Sequence, residues 1–145
     1  RQKKINSKWQ LIVSLKEFGF SKEEKLKKKK DFELVYSAGK RVFSRKGKLK
    51  AVYVLKNDAD AGVNVAVAVH KRAGKAFWRN RLKRLLRESY RLNKKILLPY
   101  CKEKQIHLLI VFSLNSINYK ANPKIGLDEI SPYVVDIMNK IKKSI

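Results

Sequence analysis

The sequence contains only one cysteine, Cys101, among its 145 residues. A single cysteine cannot form a disulfide within the chain, and no cysteine pair has the spacing of a zinc site. We therefore expect a protein of a reducing compartment, the cytoplasm, that holds no metal of its own. Residues 1–10 have no signal-peptide core, and no apolar run approaches the roughly 20 residues that a membrane-spanning helix needs, so we expect no membrane association.

Acidic residues are also scarce, because 12 Asp and Glu stand against 36 Lys and Arg and give a formal net charge of +24. Such a charge repels itself in the folded state unless a polyanion neutralises it, which makes nucleic acid the expected partner. An anionic membrane would require a broad apolar helix face or a lipid anchor, and neither is evident. The hydrophobic fraction of 44% is sufficient for one folded core.

The sequence has no catalytic constellation. Its two histidines, His70 and His107, are far apart in the chain, and its carboxylates are scattered. His107 lies in an apolar run, which is typical of a structural histidine, and His70 is interpreted as an exposed residue. These features indicate a protein that binds nucleic acid without catalytic side chains of its own.

Periodicity divides the chain into an extension and one domain of the α+β class. Residues 1–25 show no sustained period and are predicted to be a loosely ordered extension. A single RNA-binding domain is predicted over 26–145. Its first helix is expected to have Asp31 as its N-cap and to end at Gly39.

The middle of the chain alternates with the period of strands. Apolar and polar residues alternate from Val42 to Val69, and the last valines are expected to face the core and leave a shallow alanine face. The apolar run 106–112 predicts a central strand beside the valine strand, covered on both faces. Ser131 and Pro132 are predicted as the N-cap and first residue of a last helix.

The segment 70–95 is basic, has Glu88 as its sole acidic residue, and predicts a helix. At about 100° per residue, one side of that helix collects apolar side chains and one serine. These residues are Trp78, Leu82, Leu85, Leu86, Ser89 and Leu92. The opposite side collects cations.

Four of those cations form a like-charged ladder at i, i+4 spacing: Arg79, Lys83, Arg87 and Arg91. Each like-charged pair costs a few tenths of a kcal/mol, and a row of phosphates along the helix would offset that cost. Arg also makes bidentate contacts with phosphate that Lys cannot make. Asn80 is either a contact to a sugar hydroxyl or an ordinary exposed residue.

Two runs in this segment resemble the signature of the bacterial ribonuclease P protein family. The resemblance is close over 70–95 and looser from Leu26 to Phe112. The runs are Lys71-Arg72-x-Gly74-x-Ala76 and Arg79-Asn80-Arg81-x-Lys83-Arg84-x-x-Arg87. The chain departs from the family pattern at Lys75, where Asn is usual, and at Ser113, where Arg is expected.

The resemblance implies a fold and a function. The fold is a two-layer α/β sandwich like domain 2 of ribosomal protein S5, with the basic helix in a left-handed βαβ crossover, against the general preference for right-handed crossovers. The implied function is that of the protein subunit of ribonuclease P, an endoribonuclease that removes the 5′ leader of precursor tRNA. Magnesium bound by the catalytic RNA and the substrate would support hydrolysis, and one protein monomer would bind one RNA.

The resemblance also implies which residues contact RNA. The residues implied for RNA contact are Lys71, Arg72, Arg79, Asn80, Arg81, Lys83, Arg84, Arg87 and Arg91. Those implied for a cleft that holds the single-stranded leader are Phe32, Tyr36, Lys50, Val52, Lys83 and Arg87. For Phe32, a packing role in the first helix remains an equal alternative. The departures bear on a metal-associated role at Lys75 and on one peripheral RNA contact at Ser113.

Two other functions fit the charge. A ribosomal protein or another structural RNA-binding module would share the charge and the fold without a link to tRNA leaders. A DNA-binding regulator would place the basic helix in the major groove. A valine strand precedes that helix where a helix-turn-helix partner would be needed, which disfavours the regulator.

Overall fold

The computed structural model describes residues 20–145. Four α-helices and one four-stranded sheet form in that range. Their bounds are α1 Lys29–Ala38, β1 Lys40–Phe43, β2 Leu49–Lys56, β3 Gly62–Ala68, α2 Ala76–Asn93, α3 Leu98–Lys104, β4 His107–Leu114 and α4 Leu127–Ser144. The α+β class is therefore confirmed. None of the described helices has the length and apolarity to cross a membrane.

The sheet has the order β1-β2-β4-β3. β2 pairs antiparallel with both β1 and β4, whereas β3 and β4 run parallel. The prediction of a central strand beside the valine strand is confirmed, because β4 lies between β2 and β3 and is buried from Leu108 to Phe112. A nearly unbroken apolar run is what a strand with both faces covered requires.

The two faces of the sheet pack against different helices. On one face, Leu49, Ala51 and Tyr53 of β2 belong to the large core that α2 and α4 complete. On the other face, Val52 and Val54 belong to a smaller cluster with α1. The alternation of β2 sets this division, since successive side chains of a strand point to opposite faces.

The alanines of β3 lie on the face that α1 covers. Val63 and Val65 are buried in the large core, whereas Ala66 and Ala68 pack at the edge of the smaller cluster and stay half exposed. The predicted shallow alanine face is thus confirmed. Helix α1 contacts β2 and β4 across this face, and Leu26 belongs to the same cluster as the two alanines.

The connection from β3 through α2 to β4 is left-handed, as the resemblance implies. The carbonyl of Val65 accepts a hydrogen bond from the Leu26 amide at 3.0 Å on the outer edge of the sheet, so it points away from β4. The Val65 side chain points toward α2. For an L-residue in a strand that runs upward with its side chain toward the viewer, the carbonyl points right. β4 therefore lies to the left of β3, behind α2, which makes the crossover left-handed.

The first helix begins earlier than predicted. Asp31 is not its N-cap, because α1 starts at Lys29 and Lys28 occupies the cap position without a side-chain hydrogen bond. The Asp31 carboxylate instead lies 3.1 Å from Lys56 Nζ at the end of β2. The Asp31 side chain therefore forms a tertiary ion pair and does not cap the helix, although local capping rules would predict a cap. The predicted end at Gly39 is confirmed.

The last helix also begins earlier than predicted. It starts at Leu127 after Gly126, so Ser131 is not the N-cap and Pro132 is not the first helical residue. The Ser131 hydroxyl accepts a hydrogen bond from Asn93 Nδ2 at 3.3 Å. Burial of Ile130 adds an apolar turn ahead of the proline, at the cost of one backbone hydrogen bond that proline cannot donate.

Residues Phe20–Leu26, here called the edge strap, pack against the domain. Phe20 contacts Tyr90 of α2 at a ring-centroid distance of 5.9 Å, and Lys94 Nζ lies 3.0 Å from the Glu24 carboxylate. Leu26 is buried beneath α1, so the strap passes from one sheet face to the other around β3. Part of the predicted extension 1–25 is therefore ordered against the domain, and 1–19 lie outside the described residues.

Candidate nucleic-acid interface

Helix α2 packs one side onto the sheet, and its cations lie outside the buried stripe. Its buried residues are Trp78, Leu82, Leu86, Ser89 and Tyr90. Leu92 was predicted on this side, but it is 42% exposed. Tyr90 was not predicted there. The buried stripe is rotated toward Tyr90 because the ring of that residue packs between Phe20 of the edge strap and Phe112 of β4.

The cations of α2 lie on the surface that remains. Asn80, Arg84 and Arg87 are exposed, and Arg79, Arg81 and Lys83 are half-buried at the borders of the packed side. Within residues 20–145, none of these five cations forms an ion pair with a carboxylate. The surface therefore keeps its positive charge available for an external anion. We call Arg79, Lys83 and Arg87 the cation row.

Arg91 differs from the other members of the predicted ladder. Its Nε donates to Glu88 Oε2 at 3.0 Å, and one of its terminal nitrogens makes a second contact to the other oxygen of that carboxylate. The hydrogen bond from Arg91 lowers the pKa of Glu88, and the same contact raises the pKa of Arg91. Arg91 is thus a cation partly neutralised within the helix, which the ladder pattern alone does not predict.

Arg79 has a donor without an acceptor. Its Nε is buried, and no hydrogen-bond acceptor reaches it within the described part of the chain. A buried donor without a partner costs stability, so such groups are uncommon and call for an explanation.

The start of α2 is held by the loop that follows β4. The Tyr119 amide donates to the Ala73 carbonyl at 2.7 Å, and Trp78 Nε1 donates to the Asn122 carbonyl at 3.0 Å. A Cβ at Gly74 would lie 2.4 Å from the Tyr119 Cβ, so the close approach requires glycine. These contacts fix the turn that carries the exposed Lys71 and Arg72 beside the basic helix.

The structure brings together part of the predicted leader cleft. Val52 and Phe32 lie in the small cluster between α1 and the sheet, and Lys50 shares their strand face. Tyr36 of α1 is 60% exposed. Phe32 is half-buried in this cluster, which gives it a packing contact whether or not it also contacts RNA.

Two of the predicted cleft residues are on a different helix from Phe32 and Tyr36. Lys83 and Arg87 are on α2, which packs on the opposite face of the sheet from α1. No described contact places them beside Phe32 or Tyr36. The assignment of Lys83 and Arg87 to the leader cleft therefore stays a prediction.

Sequence reasoning missed two residues on the cleft face. Arg41 and Phe43 of β1 pair with Val52 and Lys50, and cross-strand partners project from the same face. Phe43 is 44% exposed. The alternation of these residues with Val42, which packs on the large core, was the available signal.

The structure shows the contacts of the two residues that depart from the family pattern, Lys75 and Ser113. Lys75 is the N-cap residue of α2, and its Nζ lies 5.7 Å from the centroid of the Tyr119 ring. Ser113 pairs with both Lys50 and Ala68, so it lies on the cleft face. An arginine at position 113 would have added charge to the cleft face. With serine at this position, the cross-strand partner Lys50 is the cation beside it.

Neither a metal cluster nor a reactive thiol is present in residues 20–145. No group of three or more His, Cys, Asp or Glu side chains there is placed to hold a metal ion. Cys101 is buried, and burial raises the pKa of its thiol to about 11, which leaves it protonated and unreactive at neutral pH. His107 donates to Asp58 in a structural contact at the start of β4, and this hydrogen bond lowers the pKa of the Asp58 carboxyl.

The amino-acid sequence is similar to those of known proteins. The Ribonuclease P protein component of Clostridioides difficile is 45% identical over 74 residues, which cover 51% of this chain and 61% of that protein. The Ribonuclease P protein component of Dictyoglomus thermophilum is 38% identical over 94 residues, 65% of this chain and 71% of that protein. The match therefore spans less than two thirds of the clostridial relative.

Solved structures share the fold. The RNase P protein of Thermotoga maritima superposes with a TM-score of 0.65 at 20% identity, over 81% of this chain and 96% of that one. The Staphylococcus aureus RNase P protein gives 0.59 at 19% identity, over 82% and 95%. A family model described as Ribonuclease P matches residues 20–126, which is well over half of the sequence. The chain belongs to the ribonuclease P protein family.

Proposed function

We propose that this protein is the accessory subunit of a ribonuclease P holoenzyme, in which it binds the catalytic RNA and the leader of precursor tRNA. The observation that carries the proposal is the cation row on α2, which has no carboxylate partner among residues 20–145 and lies within the residues that the family model matches. Three like charges at i, i+4 spacing repel one another. A phosphate backbone along the helix removes that repulsion and releases its own counterions.

We assign phosphodiester hydrolysis to the RNA subunit, as the family resemblance implies, where magnesium bound by the RNA and the substrate would activate water. The protein contributes affinity and position. The residues that would contact the catalytic RNA are Arg79, Arg81, Arg84 and, in the turn before α2, Lys71 and Arg72. One protein monomer would bind one RNA in the cytoplasm.

The cleft face is proposed to hold the single-stranded leader. Single-stranded RNA presents unstacked bases to aromatic rings and a backbone that cations follow. Tyr36 and Phe43 offer exposed rings on the α1 face of the sheet, with Arg41 and Lys50 as the neighbouring cations. Lys83 and Arg87 remain proposed RNA contacts, now on the α2 side of the sheet.

A processing assay tests this function directly. Protein is added to catalytic RNA at low magnesium with precursor tRNA that carries a leader or only a single leader nucleotide. We expect the protein to accelerate cleavage of the long-leader substrate more than that of the short one, because the cleft contributes binding only when a leader fills it. A structural RNA-binding protein would bind the RNA without this dependence, so equal acceleration of both substrates contradicts the leader proposal.

Tyr36→Ala separates leader binding from general RNA binding. We expect about tenfold weaker binding of leader-bearing tRNA by the holoenzyme and little change for mature tRNA, because one stacked base contributes about 1–3 kcal/mol. The ring is 60% exposed, so its loss leaves the core intact. Affinities measured by titration at fixed salt provide the comparison, with Tyr36→Phe as the control that keeps the ring. Equal losses for both tRNAs would assign Tyr36 a packing role.

A further inference from the structure

Phe77 is an exposed aromatic residue on the basic helix. Its side chain is 63% exposed, the largest exposed fraction among the large hydrophobic residues that the structure describes. Its position on α2 is far from the buried stripe, which is centred near Leu82 and Leu86. The ring contacts Tyr119 edge to face, with centroids 5.8 Å apart and an interplanar angle of 82°. We call these two rings the aromatic platform.

The platform is held in place before any ligand arrives. The Tyr119 amide is bonded to the Ala73 carbonyl at 2.7 Å, and its ring also packs edge-on against the buried Trp78 at 6.0 Å. Gly74 leaves the space that this packing requires. A ligand that contacts the platform therefore immobilises little additional chain, which favours binding.

Cations and one amide surround the platform. Asn80, Arg81 and Arg84 follow Phe77 by three, four and seven residues, so they lie on the same side of α2. Lys75 lies over the Tyr119 ring at 5.7 Å. Within the described part of the chain, neither arginine has a carboxylate partner. Apolar rings bordered by unneutralised cations match a single-stranded nucleic acid, whose bases stack and whose phosphates are anionic.

We propose that the aromatic platform stacks an unpaired nucleobase of bound RNA, while Arg81 and Arg84 contact the phosphates on either side of that nucleotide. The proposal rests on the RNA-binding function proposed above and adds a site separate from the leader cleft. The platform belongs to α2 and the loop after β4, whereas the cleft lies under α1 on the opposite face of the sheet. An unpaired base is required because a base within a duplex has no free face to offer an aromatic ring.

Phe77→Leu in the full chain tests the platform, because leucine keeps an apolar side chain and removes the ring. The probes are a single-stranded 12-nucleotide RNA with 2-aminopurine at its centre and the same strand in a duplex. We expect about tenfold weaker binding of the single strand, less quenching of its fluorescence, and little change for the duplex. The salt dependence should keep its slope, because stacking releases no counterions. Phe77→Tyr, which keeps a ring, should retain the affinity.

Leu92→Ala is the matched control, since Leu92 is also an exposed apolar residue of α2 at 42% exposure. It should leave both affinities unchanged. The platform proposal is overturned if Phe77→Leu leaves binding unchanged or lowers the affinities for single strand and duplex equally. It is also overturned if the variant alters the sedimentation of the protein without altering its affinity for RNA. Binding that survives Phe77→Leu but falls when the cation row is removed rejects the platform alone. Binding that survives both changes rejects α2 as the RNA-binding surface, and absence of all RNA binding by the unchanged protein would reject the proposed RNA-binding function itself.

Discussion

Replacing Arg79, Lys83 and Arg87 together by glutamine is expected to weaken binding to the catalytic RNA about a hundredfold at physiological salt. Each replacement removes one phosphate contact, and charge-assisted contacts of this kind contribute on the order of 1 kcal/mol each. The slope of log affinity against log salt concentration should also fall by roughly 2 to 3, because each lost contact removes about 0.7 to 0.9 from the slope. Filter binding or fluorescence titration at several salt concentrations measures both quantities.

The control for this variant removes the same charge from another surface. Lys102, Lys104 and Lys143 are exposed on α3 and α4. Their replacement by glutamine should lower affinity slightly through the net charge and leave the slope nearly unchanged. If the two triple variants behave alike, the protein binds RNA through its diffuse charge, and the cation row has no specific role.

Trp78→Ala is expected to destabilise the fold by about 3–5 kcal/mol, a large share of the stability of an ordinary domain. Trp78 is fully buried between α2 and the sheet. Alanine would leave a cavity there and would also remove the hydrogen bond that Nε1 donates to the Asn122 carbonyl at 3.0 Å. The unfolding temperature should fall by roughly 10–20 °C in a thermal melt followed by circular dichroism.

Two further variants locate the origin of this loss. Trp78→Phe keeps most of the buried ring and loses the hydrogen bond, so it should cost less than the alanine variant. Phe77→Ala removes an exposed ring from the adjacent position and should change the unfolding temperature little. A loss below about 1 kcal/mol for Trp78→Ala would mean that the loop after β4 relaxes to fill the cavity.

The basic helix could be predicted from the sequence because its signals are local. The i, i+4 spacing of Arg79, Lys83 and Arg87 is a property of one helix, and their position outside the buried side follows from the apolar stripe of the same helix. The central position of β4 was also predictable, since a continuous apolar run fits a strand covered on both faces.

The errors arose where a distant residue competes with a local rule. Asp31 and Ser131 have the side chains of N-caps, but Lys56 and Asn93 engage them from other elements. Leu92 matched the apolar stripe and is nevertheless exposed, because Phe20 and Phe112 pack around Tyr90 and rotate the buried side of α2. None of these partners is close in sequence to the residue it affects.

The sequence by itself determined the charge, the strands and the cation row, because these depend on composition and on short periods along the chain. The tertiary structure decided which helices and side chains lie together on one surface. The left-handed crossover places α2 on the opposite face of the sheet from α1, and the loop after β4 brings Tyr119 against Phe77. Such arrangements depend on contacts between residues far apart in the chain, and no periodicity encodes them.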